Sequence, residues 1–490
     1  MFDLNRTLDL SNLSAHDHAM LGDLQANILK GHGREFVRLL FITIKPGAKA
    51  KQDAKNFVKA IGNLVMSAQE QLESAAFFKA TKAINPPPLT DAVLAFFLTH
   101  KGYQALGHEA SSPNHLPYRQ GLKARRNEIA DPPAMKWEKK FQGDIHAMIL
   151  IGGSLDKPKN SWTSKQAADK EKLVRTLMSS CATVVHTETG RAIKNDVKNG
   201  NQGLEHFGYV DGRSQPLFIK GDIDFELSRE PNQFGGKDWD QAFKLNRLMF
   251  RDPGGTGDHS MGSFFVMRKL SQDVKRFKVA EEELQKELNN KTKHPFPGVL
   301  KTEVAGAMIV GRFENGTPIT LNDVEKNMQP PGSFVNNNFS YTNDAQGTKC
   351  PFHAHIRKAN PRGTSAPERS HIMARRGITY GKRKLNPDGS LADALPLKND
   401  VGLLFMAYNV DIAEQFEFTQ NSWANNSNFQ QAGVGPDPII GQGNLDPQHN
   451  RLRWNDPTCP VVDSHFADCV QMKGGEYFFA PSRSFLQNIS

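Results

Sequence analysis

The sequence predicts an α+β fold built on antiparallel sheets. Two observations point there. Segments with strand-like and helix-like periodicity are mixed along the chain, but they do not follow the strict strand–helix alternation that a parallel sheet requires. The second half then echoes the first, each pairing strands with a long amphipathic helix. Two similar halves are therefore expected, joined somewhere around residues 217–245, although no repeat is evident residue by residue.

The elements follow in order. Leu21, Leu24 and Ile28 recur at helical spacing within residues 20–32, and Gly31 is a plausible stop. Val37 to Ile44 alternates well enough for a strand. A helix is expected over Ala54 to Leu72, capped by Asp53. Pro86-Pro87-Pro88 reads as a loop, Asp91 to Thr99 as a strand, and Asp144 to Ile151 as another that ends at Gly152-Gly153. Lys165 to Thr183 has the look of a helix. In the second half, Gly262 to Lys269 and Val401 to Tyr408 are expected strands, with helices over Ser271 to Leu288 and Asp411 to Gln420.

Composition narrows the class. Apolar residues make up 38% of the 490 and charged residues 23%, which fits a globular chain with a real core. The longest apolar runs, near Val37 to Ile44 and Val401 to Val410, fall far short of the roughly 20 residues of a membrane helix. The opening Met1-Phe2-Asp3-Leu4-Asn5-Arg6 has no basic patch ahead of an apolar stretch, so no secretion signal is expected. Cys181, Cys350, Cys459 and Cys469 form no CxxC pair and no disulfide framework, which favours a reducing, cytoplasmic setting. The net charge of +9 is spread over scattered lysines and short clusters. An ordinary basic surface is expected from it, with neither nucleic acid nor membrane as partner.

Three segments carry chemistry. Gly208-Tyr209-Val210-Asp211-Gly212-Arg213 places an acid in a turn, where an aspartate alone is most simply a cap. Cys350 to Arg362 holds His353 and His355, which lie two apart and cannot share one helix face. One histidine is enough for haem iron, and the cations just downstream would suit haem propionates. By itself His355 reads more simply as a structural histidine. The third segment, His371 to Gly381, contains Arg375-Arg376, a pair that on its own reads as surface charge or a carboxylate clamp.

Together the segments resemble the dye-decolorizing peroxidase family. Gly208 to Gly212 matches its GxxDG signature, Cys350 to Arg362 (CPFxAHxRKxNPR) its proximal-histidine stretch, and Arg375 to Gly381 (RxGIxYG) its distal-arginine stretch. Supporting matches at Asp23 to Gly31, Gly262 to Leu270, Gly402 to Phe405 and Gly474 to Ser482 keep the family's order over most of residues 20–485. The length and N-terminal stretch look like the longer cytoplasmic and fungal branches.

The resemblance implies two ferredoxin-like domains, 1–225 with the GxxDG segment and 226–490 with the proximal histidine, and a haem held between sheet and helices. It implies one haem b per chain without covalent links; no CxxCH is present. His355 is then the iron ligand, and Asp211 and Arg375 are the catalytic pair. Arg362, Leu403 and Phe405 are expected at the cofactor, the last two sharing one face of a strand as a dry wall. Register favours His355 over His353 and Arg375 over Arg376. Glu414 is the candidate partner for the second nitrogen of His355. Substrates would be hydrogen peroxide with dyes, phenolic or other aromatic donors, and the chain a monomer or homodimer. An aspartate base, with a residue-type reference near 4 against about 6.5 for histidine, suits work in mild acid. Dyes too large for a buried haem would pass electrons through aromatics such as Tyr380 or Trp423. The rival readings are a haem enzyme acting on one metabolite and a non-catalytic haem-binding protein.

Overall fold

The computed structural model describes residues 2–81, 91–156, 161–194, 202–229, 238–289, 304–325, 337–363, 365–384, 396, 400–443, 446–452 and 454–490. Apolar and β-branched runs form eight central strands. The first half supplies β1 (Phe36–Ile44), β2 (Val93–Leu98), β3 (Ala147–Gly153) and β4 (Ala182–Arg191). The second supplies β5 (Met261–Gln272), β6 (Ile378–Tyr380), β7 (Gly402–Asn409) and β8 (Val470–Ala480). The first set lies in the order β2-β3-β1-β4 and the second in the matching order β6-β7-β5-β8, all antiparallel. Each is a ferredoxin-like sheet, and the expected α+β class is borne out.

The two sheets share their edges. Tyr380 of β6 pairs with Gly190 of β4, and Phe479 of β8 pairs with Leu98 of β2, so the eight strands close into a barrel. Gly190 permits the first joint, because a Cβ there would lie 2.4 Å from Ile378 Cγ2. An eight-stranded barrel has an interior that side chains just fill. Here aromatic rings fill it: Phe97 stacks on Phe265 at 4.5 Å, Phe265 meets Tyr408 at 4.7 Å, and Phe41 stacks on His186 at 5.6 Å. These side chains take up the interior, and the cavity described below opens on the outer face of the sheet.

Helices pack outside, and several differ in extent from the sequence expectation. The first, α1 (Ala15–Asp23), starts earlier than the apolar spacing suggests, because Ser14 and Asp17 form a reciprocal capping box. It stops before Gly31 because Gln25 leaves the helix to bond the backbone of Phe96, accepting at 2.8 Å and donating at 2.9 Å. The single helix expected over Ala54 to Leu72 is two, α2 (Ala48–Leu64) and α3 (Ala68–Thr81). The break is dictated by a second capping box, Ser67 with Glu70, and Asp53 caps nothing. Next, α4 (Lys165–Met178) ends before β4 begins, and α5 (Val274–Leu288) starts after its cap Asp273 because β5 runs on to Gln272. Pro86 to Pro88 lie outside the described residues. Among the described residues no helix is long and apolar enough to cross a membrane.

The segment after β7 is helical but wound wider than an α-helix. Glu417 N–H donates to Ile412 O at 2.9 Å and Asn425 N–H to Gln420 O at 2.9 Å, both five-residue spans. This segment, Ala413–Glu417 with Thr419–Ala424, faces the outer surface of β5 and β7 across a cavity.

Candidate active site

The cavity measures about 510 Å³, within the range of small-molecule and cofactor sites. Its wall includes Asp211, His355, Arg362, Arg375, Leu403 and Phe405, so the six residues singled out in sequence are brought together from segments almost 200 positions apart. Period-2 geometry explains the sheet side. Leu403 and Phe405 point outward from β7 into the cavity, as expected, while the alternate residues Leu404 and Met406 are buried on the other side. Arg268, Leu270 and Gln272 do the same on β5.

His355 opens the short helix α6 (His355–Ala359). Its Nδ1 lies 2.9 Å from Asp437 Oδ2, and the Asp437 side chain is fully buried. Asp437 is held in turn by the amides of Ile439 and Ile440, at 2.8 and 3.0 Å to Oδ1. Burial favours its neutral form, but the His355 imidazole and these amides outweigh it and hold the carboxyl below the usual range. Burial likewise opposes charge on His355, and Asp437 overrides it and raises the imidazole. Nε2 is therefore the nitrogen left for a metal. The expected partner was Glu414, and the structure corrects this. Glu414 is exposed, and its carboxylate lies 3.9 Å from His371 instead. Periodicity placed it on a helix but could not say which way that helix turns. The signal for Asp437 was present in Gly435-Pro436-Asp437-Pro438, a rigid turn with an acid at its centre.

His353 faces away, with Nε2 at 3.2 Å from Asn450 Oδ1, and burial pushes its imidazole down to about 3. The loop is anchored by Arg357, which donates to Asp344 Oδ2 at 2.7 Å, to Cys350 O at 2.6 Å and to Asp344 O at 2.9 Å. Both side chains of this ion pair are buried. Arg357→Leu leaves Asp344 charged and unpaired, and is expected to cost about 3–5 kcal/mol of stability. Urea unfolding checks this; a loss below about 1 kcal/mol at constant m would show that the pair is dispensable.

On the other side, Asp211 Oδ1 accepts from the Gly212 N–H at 2.7 Å and lies 3.7 Å from Arg375 Nη1. Arg375 sits on the two-residue strand Ala374–Arg375, paired with β7. Its Nη2 donates to Arg213 O at 2.8 Å, and its N–H to Gln215 Oε1 at 3.1 Å. Both members of the pair are about a third exposed, so the cavity reaches solvent here. Arg376 is engaged differently. Its guanidinium donates to Asn27 O at 2.8 Å, Ile28 O at 2.7 Å and Arg375 O at 2.8 Å, and burial pushes it down to about 10. Arg376→Leu should therefore lower stability by about 1–3 kcal/mol through orphaned carbonyls. Arg375→Leu should slow the reaction with hydrogen peroxide at least ~10-fold more than Arg376→Leu does. Stopped-flow rates and thermal melts separate the two, and the reverse ranking would exchange their roles.

Arg362 lines the cavity but is already engaged. It donates to Asn337 O and Phe339 O at 2.7 and 2.8 Å and to Ser214 Oγ at 2.6 Å, and it stacks on Phe339 at 3.6 Å. Tyr380 and Trp423 are both buried, so neither is the surface site imagined for bulky dyes. The donor set fits a haem. It offers an imidazole nitrogen backed by a carboxylate, apolar walls at Leu403, Phe405 and Ile356, and lining arginines that would neutralise propionate charge.

Comparison with known proteins agrees. Residues 23–192 match the DyP dimeric alpha+beta barrel domain. The chain is 40% identical to the multifunctional dye peroxidase DyP2 of Amycolatopsis sp., over 99% of each. The solved structure of that peroxidase aligns with a TM-score of 0.85 at 38% identity, covering 99% of this chain and 100% of that one. A DyP-type peroxidase from Anabaena sp. also gives 0.85, at 35% identity over 99% and 97%. Barrel and relatives place the chain among the haem peroxidases. It belongs to the dye-decolorizing peroxidase family, and it is a hydrogen-peroxide-dependent oxidoreductase acting on dyes and aromatic donors.

Proposed function

We propose that this peroxidase binds one haem b per chain, without covalent links, in the 510 Å³ cavity, with His355 as iron ligand and Asp211 and Arg375 as the catalytic pair. The observation that carries the reading is that a single cavity gathers all three with the Asp437–His355 hydrogen bond behind them. The haem supplies the redox chemistry, and the protein supplies position and protons. Asp437 fixes the His355 ring with Nδ1 occupied, which leaves Nε2 as the atom that would hold the iron. Asp211 accepts the proton from one peroxide oxygen and returns it to the other through the same carboxylate. Arg375 donates hydrogen bonds to the oxygen that gains charge as the O–O bond breaks. Leu403 and Phe405 keep water from the reacting atoms, and Arg362 adds positive charge to the wall.

Residues 1–225 and 226–490 form the two ferredoxin-like domains in this reading, supported by the matching strand order of the two sheets. The enzyme works in the cytoplasm as a monomer or homodimer, with no nucleic-acid partner. The test is an absorption spectrum before and after hydrogen peroxide, with haem quantified per chain. A Soret band at one haem b per chain that responds to peroxide is expected. A protein that binds haem at that ratio but does not react with peroxide would overturn the assigned roles.

A further inference from the structure

We propose that Glu205 is a positioning residue for the distal pair: its buried carboxylate fixes the turn that presents Asp211 to Arg375. The inference rests on the reading of Asp211 as the proton carrier. Residues 205–209 fold back on themselves, with Gly208 N–H donating to Glu205 O and Glu205 N–H to Tyr209 O, both at 3.1 Å. The Glu205 side chain then bridges the same turn. Oε2 accepts from the Phe207 N–H at 2.8 Å and Oε1 from the Tyr209 N–H at 2.9 Å. From the barrel, Gln272 Nε2 of β5 donates to Oε2 as well. One carboxylate thus holds two amides of the turn and ties them to a rigid strand.

The turn has little slack. Gly208 has φ +109°, and a Cβ there would lie 2.9 Å from Glu314 Oε1. Beyond it, Val210 N–H donates to Glu314 O at 3.1 Å and Asp211 N–H to Gly203 O at 2.9 Å. Asp211 is thus placed between the turn that Glu205 holds and the anchor at Gly203 O, two residues beyond the Tyr209 amide. A plain structural turn has no need of an acid that lines the cofactor cavity, and burial pushes this one up to about 7 against the pull of the Phe207 and Tyr209 amides. A carboxylate is the one side chain here that offers two acceptor oxygens to two amides at once. Glutamine keeps the shape but turns an NH₂ toward one of them.

A double-mutant cycle on the haem-loaded enzyme tests this. Glu205→Gln should keep haem content and Soret position while slowing the reaction with hydrogen peroxide about 10-fold, the scale of loss that a small misplacement causes. In the Asp211→Asn background it should add less than roughly 2-fold, because its effect runs through Asp211. Hydrogen exchange across residues 205–212 should speed up in the single variant. An additive effect in the cycle, or a parent rate in Glu205→Gln beside a slowed Asp211→Asn, would overturn the proposal. A parent rate in Asp211→Asn alone would overturn the reading beneath it, and that failure is visible without any change at Glu205. If Glu205→Gln does not fold, Gln272→Met removes one brace and leaves the carboxylate. A slowed reaction with faster exchange then supports the proposal, and a parent rate overturns it.

Discussion

His355→Ala should purify with well under a tenth of the parent's haem, or with haem whose spectrum reports a changed axial ligand. The expectation follows from His355 being the cavity-lining imidazole whose Nδ1 is held by a buried carboxylate, which leaves Nε2 for iron. Loss of a partner behind a metal ligand commonly costs 10–100-fold in affinity, and loss of the ligand itself costs more. His353→Ala is the control two residues away. His353 is turned to Asn450 and stands outside the cavity wall, so its removal should leave haem content near parent. Haem per chain and the Soret maximum of both variants decide the matter. Full haem with an unchanged spectrum in His355→Ala would move the ligand elsewhere.

The reaction with hydrogen peroxide should slow by ~10²-fold or more in Asp211→Asn, the usual worth of a positioned acid–base group. Asparagine keeps the size and an acceptor for the Gly212 amide, so the turn should survive. What it lacks is the ability to take a proton from one oxygen and hand it to the other. Arg375 remains in place, held by Arg213 O and Gln215, so any residual rate measures what the guanidinium achieves alone. Stopped-flow mixing, read at the Soret band, gives the rate. An unchanged rate would reduce Asp211 to a capping residue.

The strands were legible because alternation and β-branched runs depend on neighbours in sequence, and the register of the observed strands stays close to those runs. The three site segments were legible because each is local and matched a known pattern. Asp437 was not, since its partner lies 82 residues away and only the fold brings the two together. Glu414 misled because helical periodicity gives spacing without direction. The capping box at Ser67 and Glu70 was readable and would have split the long helix correctly. The wide winding after β7 had no sequence signal, because its five-residue hydrogen bonds answer to packing against the cavity.

The closed ring of strands has a consequence for how copies of this chain can meet. An open sheet ends in a row of unpaired N–H and C=O groups, which a second molecule can extend by adding its own strand. Here each of the eight central strands has a neighbour on both sides, and the joints at Gly190–Tyr380 and Leu98–Phe479 cover the edges that either half would otherwise expose. A dimer of this peroxidase cannot grow by continuing that ring. Copies must meet through what lies outside the ring, which among the described residues means helices, loops and two short hairpin sheets, Gln448–Arg451 with Val461–Ser464 and Ile193–Lys194 with Gly203–Leu204.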